Sequence, residues 1–139
     1  MARCCSLSLS AEVHLGSTSH TGERVIAGRT SGQFELGDKV TWEARHLGFS
    51  RQLEVCITAL NFPIHFRDEM TRGAFRAMRH DHYFNEINGV TEMRDEFYYE
   101  VPYGFLGKIG DRLFLRKYMR NLLLARNAFL KSKAEESEG

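Results

Sequence analysis

The feature that most constrains this chain is Asn88-Gly89, a dipeptide set between two long segments of alternating polar and apolar character. A type I′ turn needs positive φ at both central residues, and Asn-Gly meets that need at low steric cost. Such a turn fixes a register: Ile87 faces Val90, Phe84 faces Met93, His82 faces Asp95 and His80 faces Phe97. Arg76–Ile87 and Val90–Val101 are therefore expected as the arms of a hairpin. The same period of two recurs upstream in Glu23–Thr30, Asp38–His46, Arg51–Leu60 and Ile64–Arg72. Val40, Trp42 and Ala44 share one face of their segment; Leu53, Val55, Ile57 and Ala59 share one face of theirs. Phe62-Pro63 interrupts the pattern. A turn centred near Gly73–Phe75 sets Met70 opposite Met78, Asp68 opposite His80 and Phe66 opposite His82. A turn at Gly48-Phe49 sets Ala44 opposite Leu53 and Trp42 opposite Val55. Six strands in series with short connections predict an antiparallel meander.

Beyond Pro102, Gly104 and Gly107 the period becomes helical, from Asp111 to Lys133. Leu115, Tyr118, Leu122, Ala125 and Phe129 form one stripe, and Arg116, Lys117, Arg120, Asn127 and Lys131 another. At ~1.5 Å per residue this helix reaches about 33 Å, enough to lie across a six-stranded sheet and cover its apolar face. Ala2–Leu15 reads as a first helix, with Cys5, Leu9 and Val13 on one side and Gly16 as its stop; a polar loop follows to Glu23. The expected fold class is α+β: one domain over residues 1–133, a curved antiparallel sheet wrapped around a long C-terminal helix, then a flexible polar tail over 134–139.

Composition narrows the function. A chain of 139 residues suits one domain. Its 19 Lys and Arg against 18 Asp and Glu leave no basic excess for a nucleic acid. No apolar run approaches the ~20 residues of a membrane span, and the N-terminus lacks the pattern of a signal peptide. Cys4, Cys5 and Cys56 make no disulfide framework and suit a reducing compartment, so a cytoplasmic protein is expected. No phosphate-binding glycine pattern, CxxC pair or GxSxG elbow occurs, and no cofactor is expected. The basic residues of the last helix read as a solvated face, with an acidic or phosphorylated partner as the alternative.

The registers gather Trp42, Val55, Ile57, Phe66, Met70, Met78, Phe84, Met93, Phe97 and Tyr99 on one face, and put Asp68, His80, His82 and Asp95 among them. Polar groups buried there without partners would cost several kcal/mol. Cross-strand pairing of His80 with Asp68 and of His82 with Asp95 would meet that cost. Four accounts fit: a satisfied hydrogen-bond ladder; a partly wet cavity in which these groups orient a ligand's polar end; a metal site on His80 and His82 with a carboxylate nearby; and general acid–base catalysis by a His–Asp pair. The ligand-facing set is Trp42, Val55, Phe66, Asp68, Met70, Met78, His80, His82, Asp95 and Phe97 from the sheet, with Tyr118 and Leu122 from the helix. Trp42 and the methionines serve as core or as an adaptable lining. Arg126 projects near Tyr118, Leu122 and Phe129; it either snorkels to the rim, the favoured reading, or pairs with Asp95 or Asp68.

The strings HTGERVIAGRTSG (His20–Gly32), GDKVTWEARHLG (Gly37–Gly48), FRDEMTRGAFRAMRHDHYF (Phe66–Phe84) and GDRLFLRKYMRNLLLARNAFLK (Gly110–Lys131) stand in an order and spacing that resembles a bacterial ligand-binding branch of the SRPBCC superfamily. That superfamily includes START lipid-transfer domains, birch-pollen-allergen-type proteins and polyketide cyclases. The resemblance runs from about residue 5 to residue 131. It implies a helix-grip fold and a cavity between sheet and C-terminal helix for a small hydrophobic or amphipathic molecule, and it brings no catalytic set. The helix-grip fold normally begins with a strand that precedes the first helix and pairs beside the last strand. This sequence shows none, so the edge of Val90–Val101 is expected to be open: either the chain is truncated, or it forms a homodimer through that edge.

Overall fold

The computed structural model describes residues 1–11, 13, 24–28, 31–46, 49–102, 104 and 109–136. A short helix, α1 (Ala2–Ser8), precedes six strands: β1 (Arg24–Gly28), β2 (Lys39–His46), β3 (Phe49–Asn61), β4 (His65–Arg72), β5 (Ala77–Ile87) and β6 (Val90–Glu100). One π-helical turn, Asp111–Leu115, leads into the long helix α2 (Arg116–Glu136). The strands lie in the order β1 to β6, each antiparallel to the next.

The hairpin that anchored the sequence reading is present. Asn88 has φ 52° and Gly89 φ 79°, as a type I′ turn requires. From it the β5–β6 register runs without a break to Ala77 opposite Glu100. Phe66 faces His82 and Asp68 faces His80, as expected.

Two details of β3 differ. His46 faces Phe49, so Trp42 lies opposite Leu53, Ala44 opposite Arg51 and Val55 opposite Val40. The expected turn stood one residue too late, which moved the register by two. A shift of two leaves every side chain on its own face, so the inner surface was still read correctly. Between Ile57 and Ala59 the β3–β4 register shifts. The extra residue turns the alternation over: Ala59 pairs with Arg67, and Leu60 pairs with Phe66 and packs on the core in its place.

The core lies on one face of the sheet. Trp42, Val55, Ile57, Phe66, Met78 and Phe84 come from the strands, and Cys5, Leu9 and Ala11 from the N-terminal segment. Phe34 meets Trp42 edge-on at 6.3 Å. The Phe34 N–H donates to the Leu9 carbonyl and the Ala11 N–H to the Gly32 carbonyl, each at 3.0 Å, and these bonds tie the N-terminal segment to the approach to β2. Helix α1 is shorter than expected, with Leu9 as its C-cap.

Helix α2 packs against α1 and reaches β6 through its side chains. At its start, the Tyr99 hydroxyl donates to Asp111, and Arg116 Nη2 donates to the same carboxylate at 3.3 Å. Its inward face is rotated from the expected stripe. Ala125 is exposed, Arg126 and Leu130 are buried and Asn127 is half-buried. Leu123, Asn127, Leu130 and Ala134 form the inward row, at i, i+4, i+7 and i+11. The helix continues past Lys133 to Glu136, through half of the segment expected to be a flexible tail; residues 137–139 lie outside the described residues. So do the expected loop over residues 16–23 and the turn residues 47–48. Among the described residues no helix is long and apolar enough to cross a membrane.

Candidate functional site

Strands β4, β5 and β6 run side by side, so every second residue joins a row across the helix-facing surface. One row reads Phe66, His82, Asp95; the next reads Asp68, His80, Phe97. Packing fixes the imidazoles. His82 is 1% exposed, and its ring lies flat on Phe66, with centroids 4.0 Å apart and planes 12° apart. His80 lies 3.8 Å from His82 and meets Phe97 edge-on at 5.3 Å.

The ring nitrogens converge on two carboxylates. His82 Nε2 is 2.8 Å from Asp68 Oδ2 in an aligned hydrogen bond. His82 Nδ1 and His80 Nε2 each lie 3.2 Å from one oxygen, Asp95 Oδ1. Neither of these two contacts is aligned as a hydrogen bond, and all three atoms are buried without a hydrogen-bond partner among the described residues. The other Asp95 oxygen accepts from Asn127 Nδ2. The expected pairing is thus half right. His82 does reach Asp95, but His80 approaches Asp95 rather than Asp68, and Asp68 bonds to His82. Directly opposed residues set the rows, yet side chains as long as histidine reach the diagonal neighbour as easily.

Arg126 does not snorkel. It is 8% exposed, it turns its charge on Asp68 and Asp95, and its Nη1 is buried without a hydrogen-bond partner. Burial alone would raise both carboxylic acids. The His82 hydrogen bond, with the charges of His82, His80 and Arg126, outweighs burial at Asp68. The contacts of His80 and His82, with the charge of Arg126, outweigh it at Asp95. Both acids are held below the ordinary carboxylate range. Burial, and then the neighbouring His82, push the His80 pKa down.

Beside this cluster opens a cleft of about 470 Å³. Its walls are Cys4 and Ser8 of α1, Gly89, Val90, Thr91 and Met93 of the β5–β6 hairpin, and Asn127, Leu130, Lys131, Ala134 and Glu135 of α2. Met93 is the neighbour of Asp95 on the same face of β6, and Asn127 donates to Asp95, so these two residues join the cleft to the cluster.

All the ligand-facing residues expected from the sequence are buried or half-buried, but none lines this cleft. Trp42, Val55, Phe66, Met78, His80 and His82 are buried in the sheet layer. Asp68, Met70, Asp95 and Phe97 are half-buried on the sheet, and Tyr118 and Leu122 are half-buried on α2. Burial raises the Tyr118 phenol. Asn127, Leu130, Ser8 and Val90 were missed as site residues. The signal for the first two was the row Leu123, Asn127, Leu130, Ala134, passed over because its second member is polar. At the sheet's end, no described strand pairs with the outer edge of β6.

No family model matches the chain, and no curated protein matches it in sequence. Solved structures do match. Protein TTHA0849 of Thermus thermophilus superposes with a TM-score of 0.78 at 15% identity, covering 99% of this chain and 91% of that one. Ara h 8.0201 gives a TM-score of 0.64 at 9% identity over 94% of this chain and 89% of its own. The major latex-like protein 151 of Panax ginseng gives 0.59 at 10% identity, over 88% and 80%. A six-stranded antiparallel meander, a long C-terminal helix across its inner face and these superpositions together identify the helix-grip fold.

Proposed function

We propose that the protein binds one small hydrophobic or amphipathic molecule between the sheet and α2, with its apolar body in the cleft and its polar end toward Asn127 and Asp95. One observation carries this reading. Among the described residues five buried polar atoms (His80 Nε2, His82 Nδ1, Asp95 Oδ1, Arg126 Nη1 and Asn127 Oδ1) lack hydrogen-bond partners, and one of these residues, Asn127, lines a cleft of about 470 Å³. Each such atom costs ~1–3 kcal/mol when left unmade. A ligand's polar end can bond to Asn127 and through it act on Asp95, and the cleft's volume falls within the ~300–1,000 Å³ of small-molecule sites. Val90, Met93, Leu130 and Ala134 offer the apolar contact. Native mass spectrometry of the protein isolated from its own host should show a bound organic molecule in a one-to-one complex. A fluorescent apolar probe should bind the emptied protein and lose affinity in Ala134→Trp, which fills the cleft. A protein that carries no molecule and binds no probe would overturn the reading.

A second reading, an acid–base enzyme of the cyclase or dehydratase kind, is favoured by one feature: His80, its pKa pushed down by burial, stands near two carboxylates held below the ordinary range. Turnover of a polyketide-like substrate that disappears in His80→Ala, while binding persists, would establish it. The open edge of β6 supports pairing with a second copy; a monomer by light scattering at micromolar concentration removes that part.

A further inference from the structure

We propose that His80, His82 and Asp95 bind a divalent transition-metal ion, with Asp68 as the outer carboxylate that orients His82. The hydrogen bond from His82 Nε2 to Asp68 Oδ2, at 2.8 Å, requires the hydrogen on Nε2. A neutral His82 that donates through Nε2 carries its lone pair on Nδ1. Nδ1 then faces Asp95 Oδ1 at 3.2 Å, one electron-pair donor against another. His80 Nε2 approaches the same oxygen at 3.2 Å, outside hydrogen-bond alignment. Two imidazole nitrogens thus approach one carboxylate oxygen at the same distance, all three atoms buried and none with a hydrogen-bond partner among the described residues.

The dimensions suit a metal. Ligands at ~2.0–2.1 Å from a tetrahedral ion stand about 3.3 Å from one another, close to the 3.2 Å from each imidazole nitrogen to Asp95 Oδ1. Two imidazoles with one carboxylate suit zinc, iron or manganese rather than the all-oxygen preference of calcium or magnesium. Asp68 behind His82 reproduces the carboxylate–histidine arrangement that fixes the tautomer of a metal-ligating imidazole. The Asp68 carboxylate and the two imidazoles each offer a ligand atom within 4.8 Å of the others, so Asp68 stands close enough to orient His82 for the ion. Asn127 fixes Asp95 through its second oxygen and lines the cleft, which gives an ion or a water a way in.

Arg126 is the group that opposes a cation. With both imidazoles neutral in order to ligate, Asp68 and Asp95 against Arg126 leave one negative charge in the cluster, and a divalent ion turns that into one positive charge. A metal-bound hydroxide or the anionic end of a ligand restores balance, and Arg126 Nη1, buried without a partner, is placed to donate to such an anion. The site needs no organic ligand to form, so it stands or falls separately from the binding function proposed above.

The test is titration of the chelator-treated full chain with Co(II) at neutral pH. The expected result is one equivalent bound, with the intense visible d–d absorption of a four- or five-coordinate ion, displaced by Zn(II), and a Tm that rises with Zn(II). His80→Ala should abolish the absorption. Asp95→Asn, nearly isosteric, should weaken binding at least tenfold and serves as the deciding variant if His80→Ala does not fold. Asp68→Asn should weaken binding ~10–100-fold while keeping the d–d spectrum, as an orienting residue would. His65→Gln, on the other face of the sheet, should bind as the parent does. Absence of visible absorption overturns the proposal. So does a thiolate-to-cobalt charge-transfer band, which would place the ion on the cysteines, or parental affinity in a folded Asp95→Asn variant. None of these results bears on whether an organic molecule co-purifies.

Discussion

Strand β5 carries buried polar residues on both its faces, and the two faces treat them differently. On the outer face Asp81 is 3% exposed; its Oδ1 is 2.7 Å from both His65 Nε2 and Arg67 Nε, and its Oδ2 is 3.4 Å from Arg79 Nε. His65 stacks on Tyr83 at 4.7 Å, and Arg94 lies over the same ring. Burial would raise the Asp81 acid, but the bonds from Arg67 and His65 outweigh it and hold it low. One residue to either side, His80 and His82 enter the inner cluster, where five polar atoms go without a partner. This chain can therefore build a satisfied network on β5, and does so on the outer face. The inner network is incomplete beside a cleft. A purely structural ladder has no reason to stop short, because a half-satisfied buried network is worse than an apolar core.

The largest effect comes from the wall that holds the inner rings. Phe66 is 2% exposed and stacks on both His82 and Phe84. Phe66→Ala should cost ~3–5 kcal/mol in reversible urea unfolding. A loss under about 1 kcal/mol would mean that His82 is not held by packing, and the contrast between a rigid inner cluster and a solvated outer one would fail. A smaller effect compares the charges themselves. Asp81→Asn leaves two arginines without their carboxylate, but both are at least a third exposed and regain water, so its expected cost is about 2 kcal/mol. Arg126→Met, which removes an incompletely bonded buried cation, should change stability by no more than ~1 kcal/mol, with His82 and Asn127 still bonded to the carboxylates. Equal costs for the two variants would show both clusters to be structural.

The contrast was only partly legible in the sequence, for reasons that can be assigned. Asn88-Gly89 fixes a parity, and a period of two carries that parity from strand to strand, so the inner row of Phe66, Asp68, His80, His82 and Asp95 could be read from the residues alone. The misplaced β2–β3 turn did no harm because its error was even. The irregularity after Ile57 was invisible because one extra residue leaves no mark in the alternation until the partner strand is known. The register that put Phe66 opposite His82 also puts Arg67 opposite Asp81, so the outer cluster was within reach; it was missed because the reading followed only the apolar face. Helix α2 was misread because two of its inward residues, Arg126 and Asn127, are polar, and a rule that seeks apolar stripes turns such a helix the wrong way. The cleft depends on how α1 and α2 stand over the end of the β5–β6 hairpin, which no local pattern encodes.

The smallest effect separates the two faces within a single dipeptide. Tyr98 points outward, is half exposed and donates to Glu100; Tyr99 points inward and donates to Asp111 at the start of the π-helical turn. Burial, and then the bond to Asp111, push the Tyr99 phenol up to about 12. Tyr98 is raised chiefly by its bond to Glu100, at a position open to water. A phenol raised above its unfolded value of about 10 keeps its proton longer in the folded chain. The stability it lends is therefore complete below pH ~10 and is lost as pH rises toward 12. Spectrophotometric alkaline titration should show a last phenolate forming near pH 12 in the parent and missing from Tyr99→Phe, while Tyr98→Phe keeps it. Should Tyr99→Phe leave that last step in place, the inner surface at the start of the helix would be as wet as the outer one, and the division of the sheet into a sealed face and a solvated face would stop short of β6.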